Sequence, residues 1–268
     1  MTPRRIFIGF DSRQIISYTA LSTSIISQAS VPVTIAPVSA MTTGLRRKGL
    51  TPFTWARFLV PHLCDYKGWA LFLDADMLAL ADIEDLFKMA DDKYAVMVSK
   101  NKMKFEWASL MLFNCGHPDN AVLTPEYIEK TDGLHAIGWT ENVGGILGEW
   151  NHLVGYDRPD PTAKLVHFTQ GVPLFPETRD SEYADEWLAT MNVATSALSW
   201  AELMAHSVHA KPVYERLAGG PVLCPLCNEK LVRIEHEGGK RKAIYGCGHV
   251  ALEGTVNGGA GHSDIRPS

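Results

Sequence analysis

Two aspartates, Asp74 and Asp76, follow a run of apolar residues with a single alanine between them. The segment reads WALFLDADMLAL over residues 69–80. Two carboxylates this close repel each other unless a positive charge lies between them. A hard divalent cation, Mg²⁺ or Mn²⁺, supplies that charge through oxygen ligands and keeps open positions for substrate phosphates. The spacing therefore indicates metal-assisted phosphate chemistry, although an Asp-x-Asp tripeptide taken alone is more often a solvated or helix-capping pair.

The elements around these acids predict a sheet whose edge presents them. Residues 69–73 are apolar at every position, as in a central strand covered on both faces. Further strands are predicted at 4–10, 31–38, 94–99, 109–114 and 164–168, and helices at 13–29, 82–89, 181–191, 195–209 and from Thr51-Pro52 onward. This alternation predicts an α/β sandwich around a mostly parallel sheet. Ligands of such sheets bind beyond the carboxyl ends of the strands, where Asp11, Asp74 and Asn114 are expected.

Composition and charge exclude several classes of protein. The chain has 268 residues, of which 46% are hydrophobic and 21% are charged, and this is globular composition. Its formal net charge of −5 provides no general attraction for nucleic acid or anionic lipid. No apolar run approaches the roughly 20 residues of a membrane span, and the N-terminal apolar run stops at Asp11, too short for a signal peptide. We expect a cytoplasmic protein without a transmembrane segment and without a nucleic-acid partner.

Four segments, in order, carry a resemblance to a known family. They are IFIGFDSRQ, TWARFLVP, LFLDADML and LVHFTQGVP, and LMLFNCG is a weaker fifth. Over residues 4–176 the chain resembles the GT-A glycosyltransferases, in particular the family-8-like retaining enzymes that include the glycogenins and bacterial lipopolysaccharide galactosyltransferases. The resemblance implies a Rossmann-like nucleotide-diphospho-sugar transferase fold, an α/β/α sandwich. It also implies transfer of a sugar, with retention, from a nucleotide-sugar donor, expected to be a UDP-sugar, to a glycan, lipid-linked or protein acceptor.

The resemblance assigns a metal site to three residues. Asp74 and Asp76 would hold Mn²⁺ or Mg²⁺, and His167 would complete the protein ligands. An imidazole among oxygen ligands suits Mn²⁺ somewhat better than Mg²⁺. The metal would stabilise the charge that develops on the departing nucleoside diphosphate. Outside this context, a histidine such as His167 at a strand end is more often a hydrogen-bonded core residue.

The same resemblance assigns donor contacts. Asp11 would accept a hydrogen bond from uracil, Arg57 would bind the donor, and Asn114 would contact the donor sugar. Each has a simpler structural alternative. Asp11 could be an acid near a helix N-terminus, Arg57 a surface arginine, and Asn114 a turn residue.

Two departures from the family pattern affect the phosphate and sugar sites. In the family, a glycine lies three residues after the metal-binding histidine and a lysine follows that glycine. In this chain Gly171 lies four residues after His167, and the lysine is absent. The backbone N–H of Gly171 could approach phosphate, and Lys100, Lys102 and Lys104 could supply charge, although such a run is more often a solvated surface. Glu141, within WTENVGGILGEWNHL at 139–153, is assigned the polar position beneath the anomeric carbon. Front-face substitution, as in these retaining enzymes, demands no strong nucleophile.

The C-terminal tail predicts a structural zinc site that does not depend on the resemblance. Cys224 and Cys227 form one knuckle, and Cys247 and His249 form another. Between the knuckles, KLVRIEH and KRKAIYG can pair as a hairpin across Gly238-Gly239. Four such ligands match a closed, tetrahedral zinc ribbon. The predicted organisation is a GT-A domain at 1–210, a linker at 211–222, a zinc-ribbon-like β module at 223–256 and a disordered tail at 257–268.

Two further functions are compatible with the sequence. A sugar nucleotidyltransferase would have a similar fold, but it needs a Gly-rich, basic phosphate loop after the first strand, and FDSRQ is not such a loop. A catalytically idle nucleotide-sugar or carbohydrate-binding module, tethered by the zinc ribbon, is favoured by the missing lysine. Detection of sugar transfer or donor hydrolysis separates this binding module from an enzyme.

Overall fold

A computed structural model describes residues 2–100, 104–196, 231–237, 240–245 and 250–252 of the chain. The chain divides into two units, Met1–Ser196 and Ala197–Ser268. The strands of the first unit, in chain order, are β1 (Arg4–Gly9), β2 (Val33–Val38), β3 (Trp69–Leu73), β4 (Met77–Ala79), β5 (Val96–Ser99), β6 (Leu110–Asn114), β7 (Val143–Ile146), β8 (His152–Leu153) and β9 (Leu165–His167). Its helices are α1 (Ile15–Gln28), α2 (Ala40–Thr43), α3 (Val60–Leu63), α4 (Glu84–Lys88), α5 (Pro125–Lys130) and α6 (Ala184–Thr195).

Six of these strands form a mixed central sheet in the order β2-β1-β3-β6-β5-β7. β1 pairs in parallel with β2 and with β3, and β5 pairs in parallel with β7. β6 runs antiparallel to both of its neighbours, with Trp69 opposite Asn114 and Leu73 opposite Leu110. The prediction of an α/β fold is confirmed, with one strand reversed in an otherwise parallel sheet.

A second, smaller sheet lies at the carboxyl end of β3. Its order is β4-β9-β8, and β4 begins directly after Asp76. β9 pairs antiparallel with β4, so that His167 lies opposite Met77. This pairing brings residues separated by 90 positions in sequence into adjacent positions.

Apolar side chains cover both faces of the central sheet. Leu71 and Leu73 of β3 pack in one hydrophobic cluster with Ile25 of α1, whereas Ala70 and Phe72 pack in another. Successive side chains of a strand point to opposite faces, so a strand buried on both sides must be apolar throughout. The continuous apolar run of β3 is therefore a consequence of its central position.

The helix expected from Thr51-Pro52 starts later than predicted. Residues 51–55 form turns, and a 3₁₀-helix at Ala56–Leu59 leads into α3. The hydroxyl of Thr54 accepts a hydrogen bond from the backbone N–H of Thr51, and this side-chain bond stabilises a turn in place of the first helical turn. Arg57 nevertheless lies on the helical part.

The second unit contains a three-stranded antiparallel sheet of β10 (Leu231–Glu237), β11 (Lys240–Tyr245) and β12 (Val250–Leu252). Glu237 pairs with Lys240, as expected for a hairpin that turns at residues 238–239. The four predicted zinc ligands, the predicted linker and most of the predicted helix at 195–209 lie outside the described residues. In the described part of the chain, no helix combines the length and apolar character needed to cross a bilayer.

Two adjacent isoleucines of α1 provide a matched test of the core. Ile25 is fully buried, whereas the side chain of Ile26 is 62% exposed. We expect Ile25→Ala to lower the free energy of unfolding by about 2–5 kcal/mol, because it leaves a cavity beneath the sheet. Ile26→Ala should change it by less than about 0.5 kcal/mol. Urea unfolding followed by circular dichroism measures both, and equal losses would contradict the assigned face of α1.

Candidate active site at the carboxyl edge of the sheet

Asp74, the first residue after β3, forms an ion pair with a buried arginine. Arg57 Nη1 lies 3.0 Å from Oδ1 and 3.2 Å from Oδ2 of Asp74. The same nitrogen donates a hydrogen bond of 2.9 Å to the backbone carbonyl of Ala108. The backbone N–H of Asp74 donates to the carbonyl of Ser109 at 2.9 Å. Arg57 and the segment before β6 thus fix the position of the first carboxylate.

His167 faces the second carboxylate through the small sheet. Its Nε2 lies 3.4 Å from Oδ1 of Asp76, and the backbone N–H of Phe168 donates to the carbonyl of Asp76 at 2.8 Å. One potential ligand atom from each of Asp74, Asp76 and His167 lies within 4.8 Å of the others. The structure therefore brings together the three residues predicted as metal ligands.

A buried amide orients the imidazole of His167. Asn151 Oδ1 lies 3.1 Å from His167 Nδ1, and Asn151 Nδ2 donates to Ser109 Oγ at 3.1 Å. Because the amide nitrogen is already used, Oδ1 accepts the proton of Nδ1. This leaves Nε2 facing Asp76, which is the arrangement that a metal-binding histidine needs.

The donor set fits a divalent cation. Asp74 Oδ1 is buried and makes no hydrogen bond in the described part of the chain, although Arg57 lies beside it. Such a buried carboxylate oxygen is costly unless a cation approaches it. Two carboxylates and one imidazole form a mixed oxygen and nitrogen set, which Mn²⁺ accepts more readily than Mg²⁺ does.

Burial and neighbouring charges drive the pKa values of the two aspartates apart. Burial raises the pKa of Asp74 to about 7, against the opposing attraction of Arg57. Burial acts on Asp76 in the same direction, but the charge and hydrogen bond of His167 outweigh it and lower the pKa of Asp76. Separated pKa values in one cleft are typical of functional sites.

Glu106 adds a third carboxylate to this environment. Its Oε2 lies 3.8 Å from His167 Nδ1, and burial raises its pKa. For His167, burial favours the neutral ring, but Asp76, Asp74 and Glu106 outweigh it and raise the pKa of the imidazole. Without a metal, the three acids therefore favour the protonated form of the imidazole.

A continuous cleft opens beside the three potential ligands. One part has a volume of about 590 Å³ and the other about 320 Å³. The two parts share a lining that includes Phe53, Asp76 and Thr169. Cofactor and small-molecule sites commonly have volumes in this range.

Asp11 lines the cleft but is engaged by an arginine two residues later. Arg13 Nε lies 2.9 Å from Oδ1, and Nη2 lies 2.5 Å from Oδ2. The backbone N–H of Arg13 also donates to Oδ1 at 2.9 Å. These bonds to Arg13 lower the pKa of Asp11, against the effect of its burial. The predicted uracil contact of Asp11 would therefore use an acceptor that already holds a guanidinium.

Asn114 and Glu141 lie at the opposite edge of the sheet. Because β6 is antiparallel, its last residue, Asn114, is paired with Trp69 at the beginning of β3 rather than with its end. Glu141 is exposed and precedes β7, whose first residue pairs with Val96 at the start of β5. A strand of five residues separates the two edges by roughly 13 Å. The structure does not bring these two predicted catalytic residues to the cleft. The prediction for Asn114 assumes a parallel β6, whereas that for Glu141 rests on the family resemblance, and Glu141 lies at the amino end of a parallel strand.

Gly171 lies in the cleft, but its N–H is not free for phosphate. The N–H donates to the carbonyl of Phe168 at 2.9 Å, which closes a tight turn after β9. Gly171 has φ of +114°, and a Cβ there would lie 3.1 Å from the ring of Phe175. The glycine is therefore required by this turn. Lys100 Nζ is also engaged, by the backbone carbonyl of Val143 at 2.8 Å.

Sequence reasoning missed Glu106 and His135, which line the cleft, and the buried Asn151, which contacts His167. His135 packs edge-on against Trp55 and Phe58, with centroid distances of 4.9 and 5.1 Å. Burial and two nearby arginines lower the pKa of His135 to about 4, so the ring is neutral at physiological pH. Glu106 lies at the site because it precedes a strand that runs antiparallel, and the sequence carries no signal for that direction. No sequence signal identifies the other two.

Comparison with known proteins gives one relative in sequence. Protein CDI from Arabidopsis thaliana is 40% identical, over an alignment that covers 70% of this chain and 86% of the relative. A scan against models of protein families finds no match.

Solved structures of glycosyltransferases share the architecture. The bifunctional glycosyltransferase WbbM, in its apo form, matches 80% of this chain with a TM-score of 0.55 and 15% identity. GlyE from Streptococcus pneumoniae TIGR4 matches 72% with a TM-score of 0.54 and 13% identity. The galactosyltransferase LgtC, in complex with donor and acceptor sugar analogues, matches 74% with a TM-score of 0.52 and 11% identity.

These matches establish the fold. They span 52% of the WbbM chain, 61% of the GlyE chain and 99% of the LgtC chain. At such low identities the likeness shows architecture alone. The first unit of this chain therefore has the GT-A fold that was predicted from its sequence.

The opposite pKa shifts of Asp74 and Asp76 predict opposite effects of two isosteric substitutions on the metal-free protein. The pKa of Asp74 is about 7 in the folded state against 3.8 as the reference value, so its contribution to stability falls as pH rises through this window. In EDTA, Asp74→Asn should therefore raise the melting temperature relative to wild type at about pH 8, and less so at about pH 4.5.

Asp76→Asn is the matched control for this experiment. Because the folded pKa of Asp76 is lowered, its ionised form stabilises the protein at neutral pH, and that stability is lost as pH falls through the folded pKa. This variant should melt below wild type at about pH 8. Melting curves at both pH values measure the two effects, and shifts of the same sign in both variants would contradict the electrostatics described for the site.

Proposed function

The chain belongs to the family of protein CDI from Arabidopsis thaliana, and we propose that it is a metal-dependent glycosyltransferase. It would transfer a sugar from a nucleotide-sugar donor to a glycan, lipid-linked or protein acceptor. One observation carries this proposal: Asp74, Asp76 and His167 converge within 4.8 Å beside a cleft of about 590 Å³ at the carboxyl edge of the sheet.

Each residue of the site has a distinct part in the proposed reaction. Asp74, Asp76 and His167 would hold Mn²⁺ or Mg²⁺, which would neutralise charge on the departing diphosphate. Arg57 keeps Asp74 in place through its ion pair of 3.0 Å, and Asn151 keeps His167 Nε2 directed at the metal position. Because the protein holds these charged side chains in place before the donor binds, little reorganisation would accompany bond cleavage.

The proposal also names a uridine nucleotide as the donor and retention of the anomeric configuration of the sugar as the stereochemical outcome. Asp11 at the end of β1 supports a uridine nucleotide, since a carboxylate can accept from the pyrimidine N3–H beside its bonds to Arg13. Retention rests on the resemblance to family-8-like enzymes, whose front-face reaction requires no strong nucleophile. Asn114 and Glu141 are not carried forward as catalytic residues, because both lie at the opposite edge of the sheet.

One alternative function retains support from a specific observation. Neither predicted catalytic residue lies in the cleft, and the segment after His167 has no lysine. Both facts are compatible with a protein that binds a nucleotide sugar without transferring it. Such a binding module would show metal-dependent nucleotide binding but neither donor hydrolysis nor transfer.

Nucleotide binding provides the first test. With Mn²⁺, uridine diphosphate should raise the melting temperature, and it should do so more than the cytidine or guanosine diphosphates. A ligand at a hundred times its dissociation constant adds about 2.7 kcal/mol to the stability of the folded state. EDTA should remove the shift, because the phosphates then face Asp74 and Asp76 without the cation that balances these two carboxylates. Stabilisation by nucleotide without any metal would contradict the proposed ligand set.

Turnover provides the second test. Asp76→Asn should reduce hydrolysis of the UDP-sugar donor, measured by release of UDP, by a factor of about a hundred or more, because it weakens the metal that stabilises the leaving group. Asp85→Asn is the matched control, since this acid is about half exposed on α4, lies outside the cleft lining and pairs with Lys88 among the residues that the structure describes. Equal activity in the Asp76→Asn variant and the control would exclude the assigned metal site.

We further propose that Cys224, Cys227, Cys247 and His249 bind one structural zinc ion. Elemental analysis under reducing conditions should find one zinc per chain, and removal of residues 211–268 should release it. The thiolates are soft ligands and the aspartates are hard ones, so the two sites should select different metals. Full-length protein without zinc would contradict the assignment.

A further inference from the structure

Arg13 lies in the lining of the cleft, and its hydrogen bonds to Asp11 fix the orientation of its guanidinium. It follows β1 closely, and its side chain is 68% exposed, although the carboxylate that holds it is only 10% exposed. Arg13 lines the same cavity as Asp76 and the Thr169–Gly171 segment that follows His167. The guanidinium is therefore held by Asp11 in the lining of the same cavity as the second carboxylate of the metal site.

The bonds that hold Arg13 leave part of the guanidinium available. Nε and Nη2 bind Asp11, and Nη2 makes one further, long contact of 3.4 Å with the backbone carbonyl of Leu50. Nη1 takes part in no hydrogen bond with the described residues. A planar guanidinium can donate to two anions through different edges. Arg13 can thus bind a second anion without releasing Asp11.

The balance of charges in the cleft indicates that a bound diphosphate requires a further positive charge, which Arg13 can supply. When His167 is counted as the neutral ring that would bind the metal, six charged side chains line the two parts of the cleft, namely the carboxylates Asp11, Asp74, Asp76 and Glu106 and the guanidiniums Arg13 and Arg57. The net formal charge is −2, which one divalent cation balances. A bound diphosphate then adds negative charge that nothing further compensates. Arg57 is buried against Asp74, which leaves Arg13 as the exposed cation among the described residues of this lining.

We propose that Arg13 binds the diphosphate of the donor through Nη1 while Asp11 holds its guanidinium in place. This assignment rests on the proposed function. It assigns to Arg13 the positive charge that the segment after His167, in which the family lysine is absent, does not supply. Asp11 then acts as a positioning residue for the phosphates as well as a neighbour of the nucleobase.

Calorimetry with Mn²⁺ tests the assignment, with UDP and uridine as the two ligands. Arg13→Gln should weaken binding of UDP by about tenfold to a hundredfold, which is the range for a lost hydrogen bond to a charged group, and should leave uridine binding unchanged. Arg13→Lys should recover part of the loss. The control is Arg46→Gln, which removes an exposed arginine outside the cleft lining and should leave both affinities at the wild-type value.

Each result of this experiment is decisive. Equal UDP affinity in wild type and the Arg13→Gln variant would overturn the assignment, and so would equal losses of UDP and uridine, which would place Arg13 on the nucleobase. Unchanged uridine binding in the variant also shows that its cleft is intact. Wild-type protein that binds no UDP in the presence of Mn²⁺ would instead overturn the proposed function, and the role of Arg13 with it.

Discussion

The electrostatic compensation of two like charges at the end of β3 is the constraint on which the site depends. Asp74 and Asp76 directly follow a buried strand. A basic side chain lies beside each of them, Arg57 beside Asp74 and His167 beside Asp76. Arg57 lies 3.0 Å from Asp74, and His167 lies 3.4 Å from Asp76. The 3₁₀-helix of Arg57, the pairing of β4 with β9 and the buried amide of Asn151 all serve to place these two side chains. A divalent cation between the acids would displace the proton that His167 holds in its absence.

The reversal of β6 determines which other residues reach the site. A parallel strand would bring its last residue, Asn114, to the carboxyl edge of the sheet. The antiparallel strand instead brings the 3₁₀-helical segment that precedes it to this edge. The carbonyls of Ala108 and Ser109 accept hydrogen bonds from Arg57 and from the backbone of Asp74, respectively. The carboxylate of Glu106 faces His167. The same reversal accounts for the polar residues at the other edge, where Asn114 caps a turn and its carbonyl accepts from Asn120.

The sequence predicts strongly patterned elements well and their directions poorly. The apolar run of β3 and the Asp-x-Asp after it mark a central strand and its ligand edge, and both are confirmed in the fold. The direction of β6 carries no comparable signal, because an apolar strand reads alike in either direction. Asn114 lies away from the cleft for this reason, whereas Glu141, which precedes the parallel strand β7, is assigned by the resemblance alone. Asn151 and His135 act through contacts that only tertiary packing creates. The pairing of β4 with β9, by contrast, is consistent with the resemblance that selected His167.

The central claim is that one cation links Asp74, Asp76 and His167 to the diphosphate of a nucleotide. Crystals grown with UDP and Mn²⁺, measured at the manganese absorption edge, test it directly through the anomalous difference map. We predict a single strong peak among the two carboxylates, Nε2 of His167 and oxygens of both phosphates. A nucleotide bound in the cleft with no anomalous peak at these three side chains, or a peak at another position, would contradict the account.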